Sequence, residues 1–223
     1  PLMSTKSGLT AGFEALIRWT HPKFGPLSPS EFISIAEMGE GIGLITDFVL
    51  HETMKQLKAW RQINADLHTA INISPRVLLN HQFPSHIKNL LTLYDLPGTA
   101  IVLELTESTL LVDPIRAVEI ITALGELDVH VEIDDFGTGY SSLAYLKRLP
   151  ISALKIDRSF VADILDDPHN EVIVRSTVQM AHSLGLRTVA EGVEDEATLL
   201  LMMRLGCDFI QGYYYSKPIL GND

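Results

Sequence analysis

The chain has 223 residues, of which 46% are hydrophobic, and its 17 Lys+Arg against 28 Asp+Glu give a formal charge of −11. This length fits one large domain or two small ones, and barrels of about 200–250 residues commonly form a single domain. The acidic balance excludes a protein that wraps polymeric nucleic acid, which needs a basic footprint, and the apolar content excludes a disordered chain.

In chain order, Leu2-Met3 and Ala11–Phe13 flank Thr5-Lys6-Ser7-Gly8, a turn-like segment too short for a crossover helix. Only antiparallel strands are joined so closely, so the first strand is expected to run against the next one. The chain starts at Pro1 without a methionine, and the expectation is an excised domain with its first strand clipped. Strand patterns follow at Ala11–Leu16, Thr69–Ile73, Ala100–Leu105, Val129–Ile133, Ala153–Ile156, Arg187–Glu191 and Phe209–Tyr214. Between them, apolar residues at helical spacing predict helices over Leu44–Arg61, Pro114–Leu127, Glu171–Leu184 and Glu196–Leu205. Ser28-Pro29-Ser30-Glu31 reads as a capped helix start. Repeated strand–helix alternation predicts parallel strands in a closed (β/α) barrel, here with one reversed strand. A single cysteine, Cys207, and the lack of a signal or membrane-spanning pattern predict a cytoplasmic domain, with membrane anchoring of a longer parent protein left open.

Each predicted strand carries one polar residue near its C-terminal end: Glu14, Asn72, Glu104, Asp134, Lys155, Glu191 and Gln211. The residues two earlier, which share a strand face, are mostly small or apolar, so the polar set is expected to point into the C-terminal mouth of the barrel. Asp135 is expected to join from the adjoining loop. Converging carboxylates repel, and divalent cations remove that conflict. Oxygen-only donors without His or Cys suit Mg²⁺ or Mn²⁺, and carboxylates shared between two ions suit phosphodiester hydrolysis. Lys155 is placed to hold a nucleophilic water or developing negative charge, and Arg18 to grip a phosphate as a planar donor fork.

Glu14-Ala15-Leu16-Ile17-Arg18-Trp19 resembles the signature of the EAL domain family, bacterial phosphodiesterases of cyclic di-GMP. The resemblance continues in order through Asn72-Ile73-Ser74, Glu104-Leu105-Thr106-Glu107, Asp134–Ser142, Lys155-Ile156-Asp157, Ala190–Glu194 and Gln211-Gly212. It covers nearly the whole chain and implies a modified TIM (β/α)8 barrel with an antiparallel first strand, residues 1–223 forming one domain truncated at its start. It implies that Glu14, Asn72, Glu104, Asp134 and Asp135 are metal ligands and that Glu191 is a ligand or general base. Lys155 matches the lysine at the nucleophilic water, and Gln211 a residue supporting that site. Glu191, Lys155, Glu14 and Asp135 are thus the implied catalytic set. Leu16 and Arg18, with Gln211, Asp157 and Glu194, are the implied contacts to the dinucleotide. Glu107 matches the anchor of the Asp135–Ser142 loop.

The implied reaction is hydrolysis of cyclic di-GMP to linear 5′-pGpG by water activated between two Mg²⁺ or Mn²⁺ ions. The alternative is a catalytically silent cyclic di-GMP receptor acting through a protein partner. The resemblance also implies a homodimer and an upstream sensory or cyclase module. Glu132 is expected to lie buried beneath Asp134, either paired with a cation such as Lys155 or reached by water, or else serving as a carboxylate that tunes Lys155 or the metals. Gly39–Gly43 reads as a helix C-cap and loop, Tyr213–Tyr215 chiefly as barrel packing, and Cys207 as a core residue.

Overall fold

In the computed structural model, which describes residues 1–139 and 146–221, β1 (Leu2–Ser4) pairs antiparallel with β2 (Thr10–Ala15) on one side and β10 (Phe209–Ile210) on the other. The strands β5 (His68–Asn72), β6 (Ile101–Thr106), β7 (His130–Phe136), β8 (Ala153–Ile156) and β9 (Arg187–Ala190) complete the sheet in parallel. The order β1-β10-β9-β8-β7-β6-β5-β2 closes into a barrel with its reversed strand where the short turn requires it. A separate hairpin, β3 (Trp19–His21) with β4 (Gly25–Leu27), leaves the barrel after β2.

The outer faces of the parallel strands supply an apolar core that the helices cover. Ile71, Leu103, Leu105, Ile133 and Leu154 are fully buried with Leu50, Met54 and Leu57 of α2 (Gly41–Trp60) and Ile121 and Leu124 of α6 (Pro114–Gly125). A second cluster joins Ile156, Ala190 and Ile210 to Val174 and Val178 of α8 (Pro168–Ser183) and Met202 of α9 (Glu196–Leu205). Strands covered on one face and filled with side chains on the other read as apolar runs, which is why the sequence pattern exposes them. Helix α1 (Pro29–Met38) starts at Ser28, whose N–H donates to Glu31 Oε2 at 3.3 Å. Further α-helices are α3 (Pro75–Leu78), α4 (Phe83–Tyr94), α5 (Thr109–Val112) and α7 (Arg158–Val161), with a 3-10 turn at Gly98–Ala100. No described helix is long and apolar enough to cross a membrane.

Three expectations change. The segment Gly39–Gly43 is a loop only at its start, since Gly39 caps α1 and Gly41 already begins α2. The strand expected over Phe209–Tyr214 ends at Ile210. A Cβ on Gly212 would lie 2.0 Å from Val193 O, so the chain here is pressed against the β9–α9 loop and turns instead of extending. Tyr213, Tyr214 and Tyr215 consequently lie on that turn, exposed, and do not pack in the barrel. Cys207 is buried, and burial pushes its thiol up to about 12.

Candidate active site

At the C-terminal mouth, Lys155 of β8 is 1% exposed and stands among carboxylates from four other strand ends. Its Nζ lies 2.6 Å from Glu191 Oε1, 2.7 Å from Glu104 Oε1, 3.2 Å from Asp134 Oδ1 and 4.0 Å from Glu14 Oε2. Burial opposes charge on Lys155, but these carboxylates outweigh it and hold the ammonium well above its usual range. One cation does not balance them all. Burial drives Glu104 well above the ordinary carboxylate range against the pull of Lys155, and it pushes Glu191 up to about 7, with Asp134 adding to the shift. Glu14 goes the other way. Burial would raise it, but Lys155 and the amides of Gln211 and Asn72 hold it below its usual value.

The consecutive residues Asp134 and Asp135 reach the same mouth because β7 bulges. Ile133 pairs with Leu154 and Phe136 with Ile156, so three steps along β7 oppose two along β8. Asp135 takes φ 54°, the left-handed region that Asp tolerates better than most residues. Asp135 therefore joins from within the strand and not from the loop expected. Its carboxyl is raised by burial, by Asp134 and by Asp157. Asp134, Asp135 and Glu191 each offer an oxygen, all within 4.8 Å of one another. Three converging carboxylates with too little positive charge between them fit a hard divalent cation such as Mg²⁺ or Mn²⁺.

The remaining candidates divide by position. Asn72 Nδ2 donates to Glu14 Oε1 at 2.8 Å and Gln211 Nε2 donates to Glu14 Oε2, so both amides orient that carboxylate. Leu16 and Arg18 lie exposed just past β2, and Arg18 Nη1 donates to Ile17 O at 2.9 Å. Asp157 caps α7 by accepting from Ser159 N at 3.0 Å; burial would raise its carboxyl, but the bonds from Ser159 hold it low. Glu194 is paired with Arg158, whose Nη2 lies 2.8 Å from Glu194 Oε1. Sequence pattern alone does not point to Arg158, although it directly follows the Lys155-Ile156-Asp157 motif. Glu107 is buried, and its Oε2 accepts from Gly137 N at 3.3 Å. Residues Tyr140, Ser141 and Ser142 of the expected loop lie outside the described residues.

Glu132 points inward and is buried, as its strand parity predicts. Its expected pairing with Lys155 is not formed: among the described residues, the ion pairs of Lys155 within 4.0 Å go to Glu14, Glu104, Asp134 and Glu191. Burial instead raises the Glu132 carboxyl, with Lys155 above and Arg187 below only moderating the shift.

A closed (β/α) barrel with one reversed strand and an acidic mouth around a buried lysine places this chain in a defined class of barrel domains. The EAL domain family profile matches residues 1–218, and the chain belongs to that family. It is 37% identical over 220 residues to the cyclic di-GMP phosphodiesterase PA2567 of Pseudomonas aeruginosa, covering 99% of this chain and 38% of that protein. It is 39% identical over 220 residues to the bifunctional diguanylate cyclase/cyclic di-GMP phosphodiesterase MucR of the same organism, covering 98% of this chain and 32% of that protein. A solved structure described as the PaMucR phosphodiesterase in complex with c-di-GMP superposes with a TM-score of 0.94 at 39% identity, over 98% of this chain and 89% of that one. The chain thus spans about a third of the length of these curated relatives.

Proposed function

We propose that this domain hydrolyses cyclic di-GMP to linear 5′-pGpG, and that the convergence of Asp134, Asp135 and Glu191 beside the buried Lys155 is the observation that carries the reading. The relatives that bear phosphodiesterase names support it. Asp134, Asp135 and Glu191 would hold one divalent cation, with Glu14, Glu104 and Asn72 extending the oxygen donors toward a second. Bound Mg²⁺ or Mn²⁺ would supply an acidified water and offset charge on the phosphoryl oxygens.

The chain's own residues do the rest. Lys155 presents a fixed, desolvated ammonium whose position requires no reorganisation as negative charge develops on the attacked phosphate. Asn72 and Gln211 fix the rotamer of Glu14. Arg18, exposed at the rim with Leu16, offers a planar fork to the second phosphate. The greater length of the curated relatives supports a larger signalling protein in which this domain works beside sensory or cyclase modules. The homodimer and the cytoplasmic location belong to the same reading.

Incubation of the protein with cyclic di-GMP and Mg²⁺ or Mn²⁺, resolved by chromatography, tests the proposal. Linear dinucleotide should form, EDTA should stop it, and Glu14→Ala should abolish it while the barrel stays folded. Tight binding with no linear product would instead support the silent receptor.

A further inference from the structure

The two segments that carry the acidic cluster, the end of β7 and the turn after β9, are separated in sequence by about a quarter of the chain, yet both rest on the same short helix. Gly192 follows Glu191 with φ 70°, and the aliphatic stem of Arg158 occupies the space a side chain would need there. A Cβ at position 192 would lie 2.3 Å from Arg158 Cγ and 2.9 Å from its Cβ and Cδ. The same arginine continues past Gly192 to Glu194, at 2.8 Å. Two residues along, Phe160 lies against Gly137, whose φ is 99° and where a Cβ would meet the ring at 3.0 Å. Gly137 directly follows the Asp134-Asp135-Phe136 run and is also held by Glu107. Phe160 in turn packs on the buried cluster around Ile156, Val161 and Val174.

We propose that α7 braces the cluster: Arg158 is a positioning residue for Glu191, acting through Gly192 and Glu194, and Phe160 is one for Asp134 and Asp135, acting through Gly137. The inference rests on the reading that these carboxylates hold a divalent cation. Helix α7 follows β8 through Ile156 and Asp157, so its position is tied to Lys155. Asp157 caps the helix and faces Asp135. One helical turn therefore links Lys155 to both ligand-bearing segments and sets the separation of groups from β7 and β9. An exposed ion pair such as Arg158–Glu194 contributes little by its charges alone. The contact that matters is the arginine stem filling a gap that only glycine leaves open. Glu194, a substrate contact by resemblance, is here a partner in the brace.

The test is Mn²⁺ binding by the protein without nucleotide, followed by paramagnetic resonance of the free ion. Arg158→Ala should weaken Mn²⁺ binding by about 10- to 100-fold, the range expected when a partner that orients a ligand is lost. Its far-ultraviolet circular dichroism and melting temperature should stay near wild type, because Arg158 is exposed. Arg158→Lys keeps the stem over Gly192 and should restore most of the affinity. Phe160→Leu, chosen because Phe160→Ala risks the fold, should weaken binding in the same direction. Wild-type affinity in Arg158→Ala, with the wild-type protein binding Mn²⁺, would overturn the brace and leave the proposed function standing. A wild-type protein that takes up no Mn²⁺ would overturn the proposed function and the brace with it.

Discussion

The Lys155 ammonium lies 2.6 Å from an oxygen of Glu191 and 2.7 Å from one of Glu104, so a single buried cation ties the end of β9 to β6 across the barrel mouth. Removing one partner of a buried ionic group leaves the others uncompensated and commonly costs about 3–5 kcal/mol. Lys155→Met should therefore lower the melting temperature strongly in EDTA. Added Mn²⁺ should recover more of the loss in the variant than it adds to the wild type, because the ion replaces the missing charge. Hydrolysis should be lost in both conditions. Thermal melts with and without Mn²⁺ check this.

Cation binding should release a proton from Glu191. Its carboxyl is pushed up to about 7 by burial, with Asp134 adding, so without metal it is largely protonated at pH 6 and largely ionised at pH 8. A cation needs the carboxylate, and the proton must leave when it binds. Calorimetric titration with Mn²⁺ at pH 6 in buffers of different ionisation enthalpy should show proton release that diminishes by pH 8. Glu191→Gln should reduce the pH-dependent part, leaving what Asp135 and Glu104 release.

The β7 bulge makes a separate prediction about Asp135, which holds φ 54° to bring its carboxylate beside Asp134. Asn tolerates that backbone and a β-branched residue does not. Asp135→Asn should fold normally and bind Mn²⁺ weakly. Asp135→Val should lose the same affinity and also fall by about 1–3 kcal/mol in stability relative to Asp135→Asn, the cost of a strained left-handed residue. Denaturant unfolding of the two variants separates the effects.

At the opposite end of the barrel, His68 has its imidazole pushed down to about 4, first by burial and then by the nearby charges of Arg187, His130 and Arg61. A histidine held neutral in the folded state contributes stability that is present above its unfolded value of about 6.5. That contribution should disappear progressively as the pH falls from about 6.5 to about 4, amounting to about 3 kcal/mol at most. His68→Gln should flatten this slope, which unfolding measured across pH 4–7 will show.

The parts of this molecule that were legible from sequence are those set by local pattern. Ala153–Ile156 and Glu196–Leu205 carry their periodicity within a single segment, and the structure forms both over those residues. The reversed first strand was legible because four turn residues leave no room for a crossover. Phe209–Tyr214 misled because its aromatic residues pattern as a strand, whereas the contact that ends the strand, Gly212 on Val193, is made to a different loop. Helix α4 is not legible in the sequence because its first turn holds Pro84, which is compatible with a helix start but reads as a breaker. The strand-end polar residues followed from parity, but the bulge that brings Asp135 beside Asp134 depends on the register with β8. Arg158 was hidden for the same reason, since its partners Gly192 and Glu194 lie on another loop.

The most direct test of the central claim is turnover of cyclic di-GMP in ¹⁸O-labelled water with Mg²⁺, read by mass spectrometry. A linear dinucleotide with one heavy oxygen on its 5′-phosphate is expected, with no product in EDTA and none from Glu14→Ala. Cyclic di-GMP recovered bound and unaltered from metal-loaded wild-type protein would contradict it.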